Sequence, residues 1–161
     1  SSRGMASGGT QTSAISAGGG PPATTETEIW NGTNWTETTD MNTARNEMTG
    51  AAANNTSALA FGGTLPPGRL GNTEVWNGTN WAEVNDLNTA RRQFAGIGIA
   101  TAALAFGGET ATVTNVANTE SWNGAIWTET SDLSVARNSL SGAGTSTTGI
   151  AFGGGLPSPR N

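Results

Sequence analysis

A tandem repeat with a step of 46 residues runs along this 161-residue chain. The sequence EIWNGTNW at 28–35 returns as EVWNGTNW at 74–81 and as ESWNGAIW at 120–127. A hydrophobic residue, an arginine and a glutamate keep the same step: Met41, Leu87 and Leu133; Arg45, Arg91 and Arg137; Glu28, Glu74 and Glu120. A chain made of one recurring unit is expected to fold as similar units that stack on their neighbours.

A stretch of small residues completes each unit. It ends in ALAFGG at 58–63 and at 103–108 and in GIAFGG at 149–154, while TSAISAGG at 12–19 is a degraded copy. The unit that contains GAAANNTSA has one additional residue in this stretch. The repeat therefore covers essentially the whole chain.

Each unit predicts four short strands. TEVW and NWAEV flank an Asn-Gly pair, which favours tight hairpins, and so predict antiparallel strands at 73–76 and 80–84. The stretch 91–106 predicts a small-residue strand, a turn near Ala100 and Thr101, and an apolar strand that Gly-Gly ends. No window holds a sustained helical period with caps, so helix is not expected. Four strands in 46 residues match the size of one propeller blade.

The order of these features resembles the Kelch repeat of β-propellers. An apolar strand ending in Gly-Gly is followed by a Thr-Glu-x-Trp strand, a strand that begins with Trp, a hydrophobic residue and an Arg. The resemblance implies an all-β fold: a Kelch-like β-propeller of four-stranded antiparallel blades with about three and a half repeats of period 46. A single repeat array over 1–161 is then expected, with blades at 1–41, 42–87 and 88–133 and the first half of a fourth at 134–161.

The sequence departs from the usual Kelch pattern at two places. Phe61, Phe106 and Phe152 stand where that family usually has Tyr near Gly-Gly, and Asn-Gly replaces an Asp-Pro-like turn. The Lys-free, Thr-, Asn- and Gly-rich composition with nearly identical copies is also similar to Kelch-like repeats in tail-fibre or adhesin-like proteins of marine phages and bacteria. This second resemblance implies an extracellular or virion location.

The composition argues against an enzyme, because Cys, His, Lys and Tyr are all absent. The common general bases, covalent nucleophiles and imidazole or thiolate metal ligands are therefore missing, and no cofactor or metal is expected. The recurring acidic residues are interpreted as positions on a solvated strand and the turn after it, not as catalytic pairs: Glu37, Glu83 and Glu129; Asp40, Asp86 and Asp132. A net charge of −5 and seven scattered Arg do not favour nucleic acid. No apolar run approaches about 18 residues, so membrane insertion is not expected.

The recurring aromatic and charged residues have structural interpretations. All six Trp are expected to be buried, with Trp81 and its copies facing Phe106 and its copies between blades. The alternative for any one Trp is stacking on a sugar. The recurring Arg and Glu are expected to form ion pairs between blades, and the alternative is a ring of Arg that binds an anion at a channel mouth.

The connectors after Gly-Gly differ between copies while the flanking strands hardly change. Loops on a rigid scaffold often carry recognition, so ligand contacts are predicted in two connectors, at 65–70 and 109–116. The candidate residues are Leu65, Pro66, Pro67, Arg69, Glu109, Thr112, Thr114 and Asn115. The alternative is that these connectors are unconstrained surface segments.

The sequence favours a non-enzymatic binding or display module of a virion fibre or extracellular adhesin. Its expected partner is a glycan or a protein receptor on a cell surface. The alternative is a purely structural spacer or oligomerisation element. Because propellers usually have four to eight blades, self-association or the remainder of a longer chain is expected to close the ring. The 161-residue chain alone is therefore not expected to be a stable monomer.

Overall fold

The computed structural model describes residues 4–156, which form an all-β structure without helix. Sheet 1 contains the strands β1 (Ala6–Thr10), β2 (Ser13–Ala17), β3 (Thr27–Trp30) and β4 (Trp35–Glu37). The chain continues with β5 (Thr49–Asn54), β6 (Ser57–Phe61), the short hairpin strands β7 (Thr64–Leu65) and β8 (Gly68–Arg69), then β9 (Thr73–Trp76) and β10 (Trp81–Val84). Sheet 2 is made of β5, β6, β9 and β10.

Two further sheets follow. Sheet 3 contains β11 (Ala95–Ile99), β12 (Ala102–Phe106), β13 (Thr119–Trp122) and β14 (Trp127–Thr130). Sheet 4 contains β15 (Asn138–Gly144) and β16 (Gly149–Gly155). Every strand pairs antiparallel with its neighbour in chain order within its sheet. The predicted all-β class, the absence of helix within residues 4–156 and the strands of the second and third units are confirmed, with bounds that differ by about one residue.

The outer hairpin of each four-stranded sheet is built in the same way. Trp76 lies directly opposite Trp81, and their ring centroids are 5.5 Å apart. The side chain of Asn77 accepts hydrogen bonds from the backbone N–H groups of Thr79 and Asn80, both at 2.9 Å. Gly78 follows at φ +93°, in the left-handed region that glycine adopts most readily. The Asn-Gly pair therefore stabilises this turn through both of its residues.

The additional residue of the second unit lies in a β-bulge. Ala52 pairs with Ala58 and Asn54 pairs with Ser57, so Ala53 has no residue opposite it. The corresponding hairpin of sheet 3 is regular from Ala95 to Ile99. A bulge absorbs one residue and keeps the side chains on either side of it on their proper faces.

The sheets pack face to face in chain order through their first strands. β1 contacts β5, β5 contacts β11, and β11 contacts β15. A Cβ atom built on Gly96 of β11 would lie 2.6 Å from Cζ of Phe61, and one on Gly142 of β15 would lie 2.5 Å from Cζ of Phe106. Glycine at this position therefore allows each sheet to approach the phenylalanine of the sheet before it.

The fourth-strand tryptophans fill the space between sheets. The ring of Trp127 lies 4.8 Å from that of Phe61, centroid to centroid, and its indole N–H donates to the hydroxyl of Thr73 at 3.0 Å. Trp81 donates in the same way to Thr27 of sheet 1, also at 3.0 Å. The expected packing of tryptophan against phenylalanine between neighbouring units is confirmed for Trp127 and Phe61.

The expected burial of all six tryptophans is wrong for Trp35, which is 48% exposed. It occupies the position of Trp81, but no sheet of the described chain covers that face of sheet 1. Trp30 is half-buried. At the other end of the array, Phe152 of sheet 4 is 50% exposed, because no sheet of the described chain covers that face either. Burial at these positions depends on a neighbouring sheet, which the local sequence does not supply.

The recurring ion pairs form within one unit, between the segment before its first strand and its third strand. The guanidinium of Arg91 donates to Glu120 of sheet 3 at 2.8 Å, and both side chains are fully buried. Arg45 forms the equivalent ion pair with Glu74 of sheet 2. The backbone of Arg45 also exchanges hydrogen bonds with the connector of sheet 1, accepting from Gly19 at 2.9 Å. The expected ion pairs are thus confirmed for Arg45 and Arg91, and neither guanidinium is exposed to bind an anion. The expectation that they join two blades is wrong, because both partners belong to one predicted unit, 42–87 or 88–133.

Candidate functional site

An ion pair brings the two predicted connectors together at one end of the array. Arg69 lies at the end of the β7–β8 hairpin, whose turn is Pro66 and Pro67, and it donates to Glu109 at 2.6 Å. Glu109 begins the connector of sheet 3, where its backbone pairs with that of Arg92. Both partners of the ion pair are nearly buried, so the two connectors are held in a defined relation at their bases.

Glu109 is the centre of a four-residue charge cluster, which consists of Glu47, Arg69, Arg92 and Glu109. Arg92 donates to Glu109 through Nε at 3.0 Å and Nη2 at 2.8 Å, and to Glu47 through Nη1 at 2.8 Å. Two positive and two negative groups therefore alternate across the boundary between sheets 2 and 3. The cluster is neutral as a whole and leaves the guanidinium of Arg92 25% exposed.

The charge cluster shifts the ionisation of its central groups. Burial raises the pKa of Glu109, but hydrogen bonds and positive charge from Arg92 and Arg69 outweigh burial and hold that pKa below its ordinary value. Burial lowers the pKa of Arg92, and the two carboxylates of Glu109 and Glu47 outweigh it, so the pKa of Arg92 is raised. Both groups are therefore charged at neutral pH.

A row of equivalent residues lines a cavity beside this cluster. A residue with positive φ lies at or just before the start of each first strand: Gly4 at +52°, Glu47 at +52°, Gln93 at +53° and Ser139 at +51°. Backbone hydrogen bonds join three of them, from Gln93 N to Glu47 O at 3.0 Å and from Ser139 N to Gln93 O at 2.7 Å, while the carbonyl of Gly4 accepts from Met48 N at 3.3 Å. We call these four residues the mouth ring.

The cavity at the mouth ring has a volume of about 330 Å³ and is open to solvent. Its floor is apolar, formed by Met48, Phe94 and Leu140, and its rim is polar. The side-chain amide of Gln93 donates to Glu47 at 2.9 Å, which couples the mouth ring to the charge cluster. An apolar floor below a few fixed polar groups is the usual composition of a small-ligand site.

The other predicted contact residues lie outside this cluster. Leu65 is 45% exposed, and the two prolines that follow it form the exposed tip of the β7–β8 hairpin. Thr112 donates to Thr114 at 3.1 Å within the exposed third connector. Asn115 donates to the carbonyl of Gly155 in sheet 4 at 3.1 Å. The structure thus joins Arg69 to Glu109, while the remaining candidates lie in the outer parts of the two connectors and do not line the cavity.

Val113, at the tip of the third connector, has an unusual conformation. It is 66% exposed and adopts φ +56°, a region in which a β-branched residue is a rare outlier. Hydrogen bonds hold this turn, including Val113 N to Thr110 O at 3.0 Å and Thr110 N to Thr114 O at 3.1 Å. Residues held in such conformations cluster at ligand-binding sites.

Sequence reasoning missed Glu47, Arg92, Gln93 and Ser139. The signal was present in the segments that follow each recurring arginine, which read ARNEM, ARRQF and ARNSL. The second residue after the arginine is different in each of the three copies, and the first is Asn in two and Arg in one, while Arg45 and Met48 have close equivalents in all three. Variation inside a constant segment indicates exposed side chains on a constant backbone, as in the connectors.

The recurring acidic residues after the second Trp remain on the surface. Glu83 and Glu129 are exposed, whereas Asp86 accepts a hydrogen bond from the backbone of Thr73 at 3.1 Å and Asp132 accepts one from Thr119 at 3.1 Å. These aspartates therefore stabilise the turns after the fourth strands.

Residues 4–156 contain no helix of the length and apolarity needed to cross a bilayer. A scan against protein-family models and a search of curated proteins found no match to this chain.

Proposed function

We propose that this chain is a non-enzymatic binding or display module whose sheets are successive blades of a Kelch-like β-propeller. Support comes from the equal strand order of sheets 1–3 and from the side-by-side first strands β1, β5, β11 and β15. In a propeller the first strand of each blade lies nearest the axis. The mouth ring, which lies at the start of these strands, would then surround one end of the central channel.

The observation that carries the binding proposal is the convergence of variable residues at one end. The bases of the connectors at 64–72 and 109–118 meet in the Arg69–Glu109 ion pair, and Arg92 links that pair to Glu47 of the mouth ring. Positions that differ between otherwise similar units thus form one continuous surface. In a purely structural array, nothing would require the variable residues to lie together on one face.

The chemistry of this surface suits a glycan on a cell surface. Carboxylate, guanidinium and amide groups can donate to and accept from neighbouring sugar hydroxyls. Gln93, Arg92 and Glu109 supply one of each, held in place by hydrogen bonds among themselves or with Glu47. The proposed setting is a virion fibre or an extracellular adhesin, and no catalytic role is included.

A printed glycan array tests this proposal. We expect the chain to bind a restricted set of glycans, and Gln93→Ala to weaken binding to them at least about tenfold by removing one amide contact. Thr79→Ala, in the exposed turn of the β9–β10 hairpin, is the matched control and should bind like the unmodified chain. A chain that binds no glycan on the array would contradict glycan recognition.

The exposed end faces of the array favour a second candidate, a structural repeat that assembles with other units. Trp35 is exposed on the face of sheet 1, and Ile150 and Phe152 are 64% and 50% exposed on sheet 4. Such apolar faces promote association. Light scattering on a size-exclusion column distinguishes a 16.2 kDa monomer from oligomers. Defined oligomers without glycan binding would support this alternative.

A further inference from the structure

The outer half of sheet 3 carries an open cavity at the position where sheets 1 and 2 receive a tryptophan. On sheet 2, Trp127 contacts Phe61 and donates to Thr73. The equivalent residues on sheet 3 are Phe106 and Thr119, and both line a cavity of about 340 Å³, together with Leu104 and Leu133. An apolar wall and a hydroxyl acceptor are thus arranged for an indole ring that no residue of 4–156 provides.

A positive charge next to this cavity lacks the partner that its equivalents have. Arg91 donates to the carbonyl of Gly107 at 3.2 Å and also to Glu120 in the third strand of its sheet. Arg137 makes the equivalent bond to the carbonyl of Gly153 at 3.2 Å. Within 4–156, however, no carboxylate forms an ion pair with Arg137.

The outer edge of β16 is unpaired within the same part of the chain. In sheet 3 the corresponding edge, that of β12, pairs with β13 so that Ala103 lies opposite Trp122 and Ala105 opposite Glu120. β16 has Gly149 and Ala151 at these positions and ends its sheet. An unpaired strand edge is a template for the addition of another strand.

We propose that these three features form one docking site for a β-hairpin of the pattern Thr-Glu-x-Trp-Asn-Gly-x-x-Trp that lies outside residues 4–156. The first strand of the hairpin pairs with β16, which places its glutamate at Arg137. The second tryptophan enters the cavity and donates its indole N–H to Thr119. In 74–81 the glutamate and the second tryptophan are seven positions apart. The same spacing spans the two equivalent contacts at the boundary between sheets 2 and 3.

An intact second copy of this chain does not fit the site. Its exposed hairpin, β3–β4, has the right pattern and includes Glu28 and Trp35. In sheet 1, however, β3 already pairs with β2, with Ile15 opposite Ile29, so the edge that β16 would need is occupied. The occupant is therefore a hairpin without inner strands of its own. This inference is independent of the glycan proposal, because the two sites share no residue.

The experiment titrates the full chain with a synthetic peptide of sequence GNTEVWNGTNWAEVND, which is residues 71–86. We expect saturable binding with one peptide per chain in isothermal titration calorimetry, and no binding of a scrambled peptide. Peptides that carry E74Q or W81A should bind at least about tenfold more weakly, because each loses one of the two anchoring contacts.

Variants of the chain test the acceptor side. Arg137→Gln and Thr119→Val should each weaken peptide binding at least about fivefold. Arg137 is half-buried, and Thr119→Val replaces a buried side chain by one of similar size that suits a strand. Arg69→Gln, at the other end of the connectors, is the matched control and should bind the peptide normally. Unchanged circular dichroism spectra will show that the variants are folded.

Two results would overturn the proposal. The first is a peptide that does not bind, or that binds Arg137→Gln and Thr119→Val as tightly as the unmodified chain. The second is a chain that forms dimers without peptide and becomes monomeric on Trp35→Ala, because the occupant would then be a second copy.

Discussion

At the scale of single residues, the structure depends on buried carboxylates that accept several hydrogen bonds each. The carboxylate of Glu120 accepts hydrogen bonds from the backbone N–H groups of Asn88 and Thr89, at 2.7 and 3.2 Å, from the Asn88 side chain at 2.9 Å, and from Arg91 at 2.8 Å. Burial lowers the pKa of Arg91, and the nearby carboxylates oppose that shift. Removing one partner of such a buried ion pair is strongly destabilising, because the other charge then stays buried without a counter-charge.

Glu120→Gln should therefore destabilise the fold by about 3 kcal/mol, because it removes the negative charge and leaves the Arg91 guanidinium buried without a counter-charge. Urea unfolding followed by tryptophan emission measures the change. Glu129→Gln, an exposed position on β14, is the matched control and should change the free energy of unfolding by less than about 0.5 kcal/mol. Equal effects of the two substitutions would contradict the structural role of the pair.

The lowered pKa of Glu109 predicts a dependence of stability on pH. A carboxyl whose pKa is lower in the folded state stabilises the fold above its unfolded pKa, which is about 4.3, and loses this contribution as the pH falls through the folded value. The difference in unfolding free energy between the parent chain and Glu109→Gln should be largest above about pH 5 and shrink toward pH 3. Unfolding curves across this range test it, and a difference that stays constant with pH would contradict it.

At the scale of strands and turns, local chemistry explains most of what the sequence predicts. The Asn-Gly pairs specify the outer hairpins, and Gly-Gly ends the second strands, so these elements are recognisable without knowledge of their neighbours. The mouth ring is different. Glu47, Gln93 and Ser139 adopt positive φ without being glycine, and they meet only because separate sheets pack together. No local pattern reports which residues of three units will become adjacent.

The bulge in β5 predicts that one residue can be removed at little cost. Deletion of Ala53 should convert the β5–β6 hairpin to the regular pairing of β11–β12 and change stability by less than about 1 kcal/mol. Deletion of Ile97 from the regular strand β11 should abolish the native fold, because a one-residue slip turns the following side chains to the opposite face. Thermal melts of both deletions provide the comparison, and similar losses would contradict the bulge.

The close approach of β11 to sheet 2 predicts a steric limit. Gly96→Ala places a methyl group 2.6 Å from the ring of Phe61 and should destabilise the fold by about 1–3 kcal/mol. Gly68→Ala in the β7–β8 hairpin is the matched control, since its nearest neighbour lies at 3.7 Å. Urea unfolding should separate the two variants clearly. An unchanged free energy of unfolding for Gly96→Ala would mean that β11 lies farther from the ring of Phe61 than the structure shows.

At the scale of the whole molecule, stability should vary along the array because each sheet contacts only its neighbours. Sheet 2 is covered by sheets 1 and 3, whereas sheet 4 has two strands and contacts sheet 3 alone among the described residues. Hydrogen exchange should therefore be slowest in β6 and fastest in β16, with β12 between them. Uniform protection in all three strands would indicate a single cooperative unit.

The mouth ring has a consequence for how such a chain can change over generations. Glu47, Gln93 and Ser139 are linked to one another through main-chain hydrogen bonds, so their arrangement does not depend on which side chain each unit contributes. Gly4, Glu47, Gln93 and Ser139 already show four different residues in one backbone conformation. Duplication of a unit followed by one codon change at this position would alter the chemistry of the opening while the scaffold stayed the same.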